Sequence, residues 1–272
     1  MYKFIGSENN TIVADIVGNS SGQPVLLMHG GGQTRHSWRD TALILAGEGY
    51  FVVSVDMRGH GDSDWVESQD YSLKVSAADI NNIIKGFVTP PVLVGASYGG
   101  LVSVYLAGTS AEEIKALVLV DVVPRVNPEG VKPIRDFMRS SPLGFESLED
   151  ASEKIQQYLP HREKPKSLDG LSKNLRLNSS GRYQWHWDPT FMESTETEKI
   201  YAEFSSLTER IDLPAILIKG ALSNVVDDDG VRHLSELIPS LKFSEVDKAG
   251  HMIAGDENTA FQEAVLGFLR IL

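Results

Sequence analysis

The chain of 272 residues contains no cysteine. This absence excludes disulfides, a thiolate nucleophile and thiolate metal sites, and it agrees with the cytoplasmic location that we expect. Cationic side chains are also few, because 25 Lys and Arg face 37 Asp and Glu and give a formal net charge of −12. Phosphate backbones and anionic membranes bind basic surfaces, so we expect neither nucleic acid nor a membrane as a partner.

Long apolar runs are absent as well. No segment approaches the roughly 18 apolar residues of a membrane span, and the N-terminus lacks the apolar core of a signal peptide. The chain has 42% hydrophobic and 23% charged residues, which is typical of globular proteins. Its length allows one α/β domain with a sizeable core and an inserted subdomain.

Short apolar runs alternate with helix-spaced segments along most of the chain. Such alternation predicts βαβ units and a parallel sheet covered on both faces, preceded by an N-terminal hairpin. The predicted strands are 2–5, 11–17, 24–28, 50–55, 91–94, 116–121, 215–219 and 242–246.

Residues 124–213, called the cap segment below, interrupt this alternation because they contain no good apolar strand run. A structureless loop of this length is uncommon in a compact domain, so we predict a helical cap inserted into a core made of residues 1–123 and 214–272. Helices are expected near 130–138, 147–158, 166–175 and 196–207.

An aromatic cluster lies late in the cap segment. It either lines a substrate pocket, with Trp185 and Trp187 as the main candidates, or attaches the cap to the main body, since aromatic side chains dominate burial everywhere. Its members are Tyr183, Trp185, His186, Trp187 and Phe191.

The pentapeptide Gly95-Ala96-Ser97-Tyr98-Gly99 joins an apolar strand run to a buried helical run. A serine at such a junction occupies a strained turn, and the glycines two residues before and after it allow strand and helix to approach. The hydroxyl then lies at a helix N-terminus, where negative charge is favoured. Ser97 is therefore a candidate nucleophile.

A serine needs a base, and its reaction with an acyl group needs donors for the oxyanion. His251 follows the last strand run in a glycine-bearing loop, so it emerges at the same sheet edge as Ser97. The glycine run after His29 follows another strand, and the N–H groups of Gly31 and Tyr98 are candidate oxyanion donors. The competing interpretations are a surface histidine and a merely flexible turn.

These motifs together resemble the α/β-hydrolase family in order and spacing. They are His29-Gly30-Gly31-Gly32, the segment from Asp56 to Ser63, the serine pentapeptide, and Gly250-His251. The resemblance implies an eight-stranded, mostly parallel sheet with a cap after the sixth strand. It also implies a Ser-His-acid triad with Ser97 as nucleophile and His251 as base. Independently of the resemblance, the segment from Asp56 to Ser63 follows the fourth predicted strand, and we expect it to form a buried polar loop that braces the site.

The acid departs from the common family pattern. Asn224 occupies the position after the seventh strand where many members carry aspartate, and a neutral amide does not stabilise an imidazolium as a carboxylate does. Asp121, at the end of the sixth strand, is the preferred replacement, and some family branches place their acid there. The alternatives are no functioning acid, or one of the three aspartates Asp227, Asp228 and Asp229.

We therefore expect a carboxylesterase- or lactonase-like serine hydrolase that cleaves a small, fairly apolar ester, lactone or related acyl substrate through an acyl-enzyme. No metal and no organic cofactor is expected, since no ligand cluster or dinucleotide fingerprint occurs. The sequence does not define the oligomeric state. Two alternatives stay open: a cofactor-free oxygenase or perhydrolase on the same fold, and a non-catalytic ligand-binding protein, which Asn224 motivates.

Overall fold

The computed structural model describes residues 1–158, 167–172, 174–193, 197–253 and 258–272. The strands are β1 (Tyr2–Ile5), β2 (Thr11–Val17), β3 (Pro24–Met28), β4 (Phe51–Val55), β5 (Val92–Ala96), β6 (Ala116–Val120), β7 (Leu175–Leu177), β8 (Tyr183–Trp185), β9 (Ala215–Gly220) and β10 (Lys242–Val246). The helices are α1 (Arg39–Gly47), α2 (Leu73–Ile84), α3 (Tyr98–Thr109), α4 (Pro128–Arg139), α5 (Leu148–Tyr158), α6 (Asp169–Ser172), α7 (Thr197–Thr208), α8 (Asp228–Leu237) and α9 (Asn258–Leu269). None of the helices within these ranges is long and apolar enough to cross a lipid bilayer.

Eight strands form one sheet in the order β1-β2-β4-β3-β5-β6-β9-β10. The pairs β1–β2 and β2–β4 are antiparallel, and the pairs from β4 through β3, β5, β6 and β9 to β10 are parallel. The predicted fold class, an eight-stranded and mostly parallel α/β-hydrolase sheet, is confirmed.

The sheet is buried on both faces because its central strands are apolar at every position. In β3, Leu26 and Met28 face one hydrophobic cluster, whereas Val25 and Leu27 face another. The first cluster includes apolar residues of α2, α3, α7 and α8, and the second includes those of α1 and α9. Alternate side chains of one strand thus pack against helices on opposite faces of the sheet.

The cap segment contains two strands that the sequence analysis did not predict. β7 and β8 form an antiparallel hairpin. The side chain of Asn178 accepts hydrogen bonds from the backbone N–H groups of Ser180 and Arg182, and Gly181 has φ of 76°. These features close a tight turn, which favours a hairpin in a segment expected to contain only helices and their connections.

The remaining elements of the cap segment are helical. α4, α5 and α7 cover the regions expected near 130–138, 147–158 and 196–207, whereas the described part of 166–175 contains only the short α6 and the start of β7. Positions 159–166, 173 and 194–196 lie outside the described residues. The division into a core and a cap stays a prediction.

The register of the sheet places the ends of three strands side by side. Ala96 pairs with Val120 across β5 and β6, and Val120 pairs with Ile218 across β6 and β9. Ser97 and Asp121 are the next residues of their chains, so both emerge at the carboxyl edge of the sheet. Functional side chains of open parallel sheets are concentrated at this edge.

Candidate active site

Ser97 occupies a strained turn between β5 and α3. Its backbone has φ of 46° and ψ of −110°, a conformation that side-chain-bearing residues rarely adopt. A Cβ on Gly95 would lie 2.4 Å from the carbonyl oxygen of Gly99, and one on Gly99 would lie 2.4 Å from that of Met28. Both glycines are therefore required for the close approach of strand and helix that presents the Ser97 hydroxyl.

His251 and Asp121 form a hydrogen-bonded pair. Nδ1 of His251 lies 2.7 Å from Oδ2 of Asp121, whose side chain is fully buried. The carboxylate also accepts the backbone N–H of Gly220 at 3.1 Å and the hydroxyl of Ser223 at 2.5 Å. Because Nδ1 is bound to the carboxylate, the other ring nitrogen, Nε2, is left for a reacting group.

The alternative acids lie elsewhere. Asp227 caps α8 by accepting the backbone N–H of Gly230 at 2.9 Å, and Asp228 is exposed in the first turn of that helix. Asp229 pairs with Arg125 at 3.0 Å. Among the four aspartates considered from the sequence, Asp121 is the one that contacts His251.

Ser97 and His251 line one cavity of about 150 Å³. Gly31 and Tyr98 lie on its wall, as does Arg135. Apolar side chains cover much of the remaining wall; they include Leu101, Val131, Ile134, Met138, Phe191 and Met192. The cavity is thus a small, largely apolar space with a serine and a histidine on its surface.

Trp185 and Trp187, the pocket residues suggested from the sequence, are not among the described residues that line this cavity. Their rings stack on each other with centroids 4.9 Å apart, and both side chains are buried. Phe191, from the same aromatic cluster, does line the cavity. Burial of large rings against each other stabilises the cap segment and removes the two tryptophans from the cavity wall.

The aromatic stretch also attaches the cap segment to the loop that follows β4. The indole N–H of Trp65 donates to the carbonyl oxygen of His186 at 3.0 Å, and Arg176 lies over the Trp65 ring at 5.1 Å. Arg176 also donates to the carbonyl oxygen of Ser63 at 3.2 Å. These contacts match the attachment interpretation of the cluster.

The backbone N–H groups of Gly31 and Tyr98, both on the cavity wall, have no acceptor within the described part of the chain. Their neighbours are bonded: Gly30 N–H donates to Oε1 of Gln33 at 3.0 Å, and Gly99 N–H donates to the carbonyl oxygen of His29 at 3.1 Å. Tyr98 is the first residue of α3, where N–H groups lack intrahelical partners. The two free amides suit a developing oxyanion.

The glycine loop is held by histidines. Nδ1 of His29 lies 2.8 Å from the carbonyl oxygen of Gly30, and Nε2 of His60 accepts the backbone N–H of Gly32 at 3.1 Å. His186, from the cap segment, places Nε2 3.2 Å from the carbonyl oxygen of Gly32. The residues on both sides of Gly31 are therefore fixed while its own N–H stays free.

Each of these rings is neutral and has a defined tautomer. The other nitrogen of His29 accepts the N–H of Met57 at 3.0 Å, and that of His186 accepts the N–H of Gly61 at 2.8 Å. Burial lowers the pKa of His29 to about 4 and that of His60 to about 3, and it lowers the pKa of His186 well below the ordinary value.

Sequence reasoning missed the role of His186 in supporting the glycine loop, because His186 lies far from that loop in the sequence. His60 belongs to the segment from Asp56 to Ser63, for which a bracing role is expected. The sequence feature that could have indicated the role of His186 is its position between two tryptophans, within a run of aromatic residues expected to be buried.

Comparison with known proteins identifies the family. The model of the alpha/beta hydrolase fold matches residues 23–257. The chain belongs to this family. As an alpha/beta hydrolase, it is 27% identical over 259 residues to esterase Rv0045c of Mycobacterium tuberculosis, a match that covers 90% of this chain and 82% of that protein. It is 25% identical over 249 residues to lipase 3 of Moraxella sp., covering 89% and 76% of the two chains.

A solved structure shares the fold of this alpha/beta hydrolase along its whole length. The crystal structure of an alpha/beta hydrolase from Novosphingobium aromaticivorans superimposes with a TM-score of 0.83 and 24% identity, covering 100% of this chain and 98% of that one. The fold is thus shared with a protein of hydrolase architecture.

Proposed function

We propose that this chain is a serine carboxylesterase that hydrolyses small, fairly apolar esters or lactones. The observation that carries the proposal is the buried Asp121–His251 pair beside a cavity that Ser97 also lines. The similarity to proteins named esterase and lipase supports ester hydrolysis as the reaction class.

In the acylation step, Oγ of Ser97 bonds to the carbonyl carbon of the ester while its proton passes to Nε2 of His251. Asp121 holds the ring in one orientation and stabilises the imidazolium. The N–H groups of Gly31 and Tyr98 donate to the oxyanion. Collapse of the tetrahedral intermediate breaks the bond to the alcohol, which takes the proton from His251.

In the deacylation step, a water molecule replaces the alcohol. His251 accepts one proton of the water as its oxygen bonds to the acyl carbon, and the same two amides stabilise the second oxyanion. The bond to Oγ of Ser97 then breaks and the proton returns to that oxygen. The products are a carboxylic acid and an alcohol, and the enzyme is restored.

The cavity favours small substrates with apolar parts. Its volume is about 150 Å³, and side chains such as Leu101, Met138 and Phe191 form much of its wall. Burial of a short alkyl chain against these side chains would contribute roughly 0.8 kcal/mol per methylene group. Affinity should therefore rise with chain length until the cavity is full.

A panel of p-nitrophenyl esters of graded chain length tests this proposal. We expect hydrolysis with a preference for short acyl chains, and a fall in kcat of about 10³-fold or more in Ser97→Ala. Ser110→Ala, at the far end of α3, is the matched control and should retain wild-type rates. Undiminished hydrolysis in Ser97→Ala, or no hydrolysis of any ester by the folded protein, would overturn the proposal.

A further inference from the structure

Arg135 of α4 lines the same cavity as Ser97 and His251. Its side chain is half-buried, and no hydrogen bond or ion pair joins it to any residue within the described ranges. It is also the one arginine or lysine among the described residues on this wall, where aspartate and glutamate are absent. A cation in a largely apolar space, with no carboxylate of the described residues bonded to it, is poised to bind an anion from outside.

A second depression, of about 570 Å³, adjoins the cavity and shares Val131, Arg135 and Tyr201 with it. Among the described residues, its wall carries four cationic side chains and one carboxylate, that of Asp136; one of the four, Arg125, is paired with Asp229. The four are Arg125, Lys132, Arg135 and Arg139. The chain as a whole has a formal net charge of −12, whereas this surface is locally positive. The local positive charge favours the approach of an anion from this side.

Two tyrosines, Tyr158 and Tyr201, line the cavity together with Arg135. Neither hydroxyl has a hydrogen-bond partner among the described residues. Burial raises the pKa of Tyr201 to about 12, an effect that the nearby positive charge of Arg135 opposes, and burial also raises the pKa of Tyr158. Both phenols are therefore protonated at neutral pH and available as donors.

We propose that the substrate of this site is an ester carrying a carboxylate remote from the bond that is cleaved, and that Arg135 binds this carboxylate. The inference rests on the proposed hydrolysis at Ser97. The apolar wall then holds the methylene chain between the two groups, and the guanidinium forms charge-assisted hydrogen bonds to the carboxylate oxygens. Tyr158 and Tyr201 supply further donors on the same wall.

Matched ester pairs test the proposal. Monomethyl adipate and methyl hexanoate have the same chain length and differ in the terminal carboxylate. A second pair, 4-acetoxybenzoate and 4-methylphenyl acetate, moves the carboxylate to the alcohol side. We expect kcat/KM of the wild type to favour the acid of at least one pair by about 10-fold or more, mainly through KM, and the preference to fall with added salt.

The variant Arg135→Gln removes the charge and shortens the side chain, and it keeps a polar, planar end group. We expect it to abolish the preference for the acid while kcat/KM for the neutral ester stays within about 2-fold, and Arg135→Lys to retain part of the preference. Arg270→Gln is the control and should behave as wild type. Arg270 does not line the cavity, and it pairs with Glu48 at 2.9 Å.

The possible failures are distinguishable. Equal kcat/KM for acid and neutral ester in both pairs, or equal losses for both in Arg135→Gln, would overturn the role of Arg135 and leave the esterase proposal intact. Hydrolysis of none of the four esters by the folded protein would overturn the esterase proposal, and the inference with it.

Discussion

Nδ1 of His251 lies 2.7 Å from Oδ2 of Asp121, so the carboxylate beside the histidine comes from the end of β6. β9 and the loop after it, which carries Asn224, contribute different groups: the N–H of Gly220 at the end of β9 and the hydroxyl of Ser223 in the loop both donate to Asp121. A neutral residue at position 224 is therefore compatible with a charged partner for His251.

The variant Asp121→Asn should lower kcat by about 10²-fold or more. The amide removes the negative charge that stabilises the imidazolium, and it no longer dictates the tautomer of His251. Steady-state kinetics with a p-nitrophenyl ester would measure the effect. Asp228→Asn, at an exposed position in the first turn of α8, is the matched control and should retain full activity. Full activity in Asp121→Asn would remove this residue from the mechanism.

His186→Phe should reduce both stability and activity. The variant keeps a ring of similar size but leaves the buried N–H of Gly61 without its acceptor, which costs about 2 kcal/mol. It also releases the carbonyl oxygen of Gly32, so the neighbouring Gly31 amide is less well positioned and kcat should fall about 10-fold. Urea unfolding and ester kinetics measure the two effects separately.

His233→Gln is the control for this variant, because His233 lies on α8, far along the chain from the glycine loop. His233→Gln should change neither the free energy of unfolding nor kcat. A loss of stability in His186→Phe with unchanged kcat would limit His186 to attaching the cap segment.

Stability should fall as the solution becomes acidic. Burial lowers the pKa of His29 to about 4 and of His60 to about 3, from an ordinary value of 6.5, so the unfolded chain binds protons that the folded protein does not. Above pH 6.5 the contribution of each neutral ring to the free energy of unfolding is complete. Below pH 6.5 that contribution falls by about 1.4 kcal/mol per pH unit until the pH reaches the pKa of the ring in the folded protein.

Urea unfolding between about pH 7 and about pH 5 would measure this dependence. His60→Asn should reduce the slope by about one proton. A free energy of unfolding that does not vary with pH across this range would contradict the neutral, buried state of these histidines.

Gly99→Ala should lower the free energy of unfolding by about 3 kcal/mol, since the new methyl group would lie 2.4 Å from the carbonyl oxygen of Met28. Gly47→Ala is the matched control: nothing lies within 4 Å of the new methyl group, and alanine favours the helix by about 0.5–1 kcal/mol. Thermal and urea denaturation of both variants provide the comparison. Equal free energies of unfolding for the two variants would mean that α3 does not approach the sheet as closely as the structure shows.

Most of the fold could be predicted because the central strands β3, β5 and β6 are apolar runs between turn residues, and helix-spaced segments separate them. The bounds of β1, β2, β3 and β10 agree with the predicted ranges, and Ser97 was expected between β5 and α3, where it is found. The hairpin of β7 and β8 was missed because each strand has three residues, and Leu-Arg-Leu and Tyr-Gln-Trp are too short to establish a period.

The surroundings of the site depended on contacts that sequence patterns do not encode. His186 reaches Gly32 only because the cap segment folds back onto the loop after β4. The spacing of Val131, Ile134 and Met138 indicates the apolar face of α4, but the sequence does not indicate that this face lies over Ser97. Sequence motifs predicted the site residues that follow the ends of strands. The site residues of the cap segment could be identified only from the tertiary structure.

Covalent labelling with a fluorophosphonate, followed by intact-mass analysis and peptide mapping, tests the central claim most directly. The account predicts a single adduct on Ser97 at neutral pH, no adduct in Ser97→Ala, and much slower labelling in His251→Asn. A folded protein that forms no adduct, or one modified at another residue while Ser97 stays free, would contradict it.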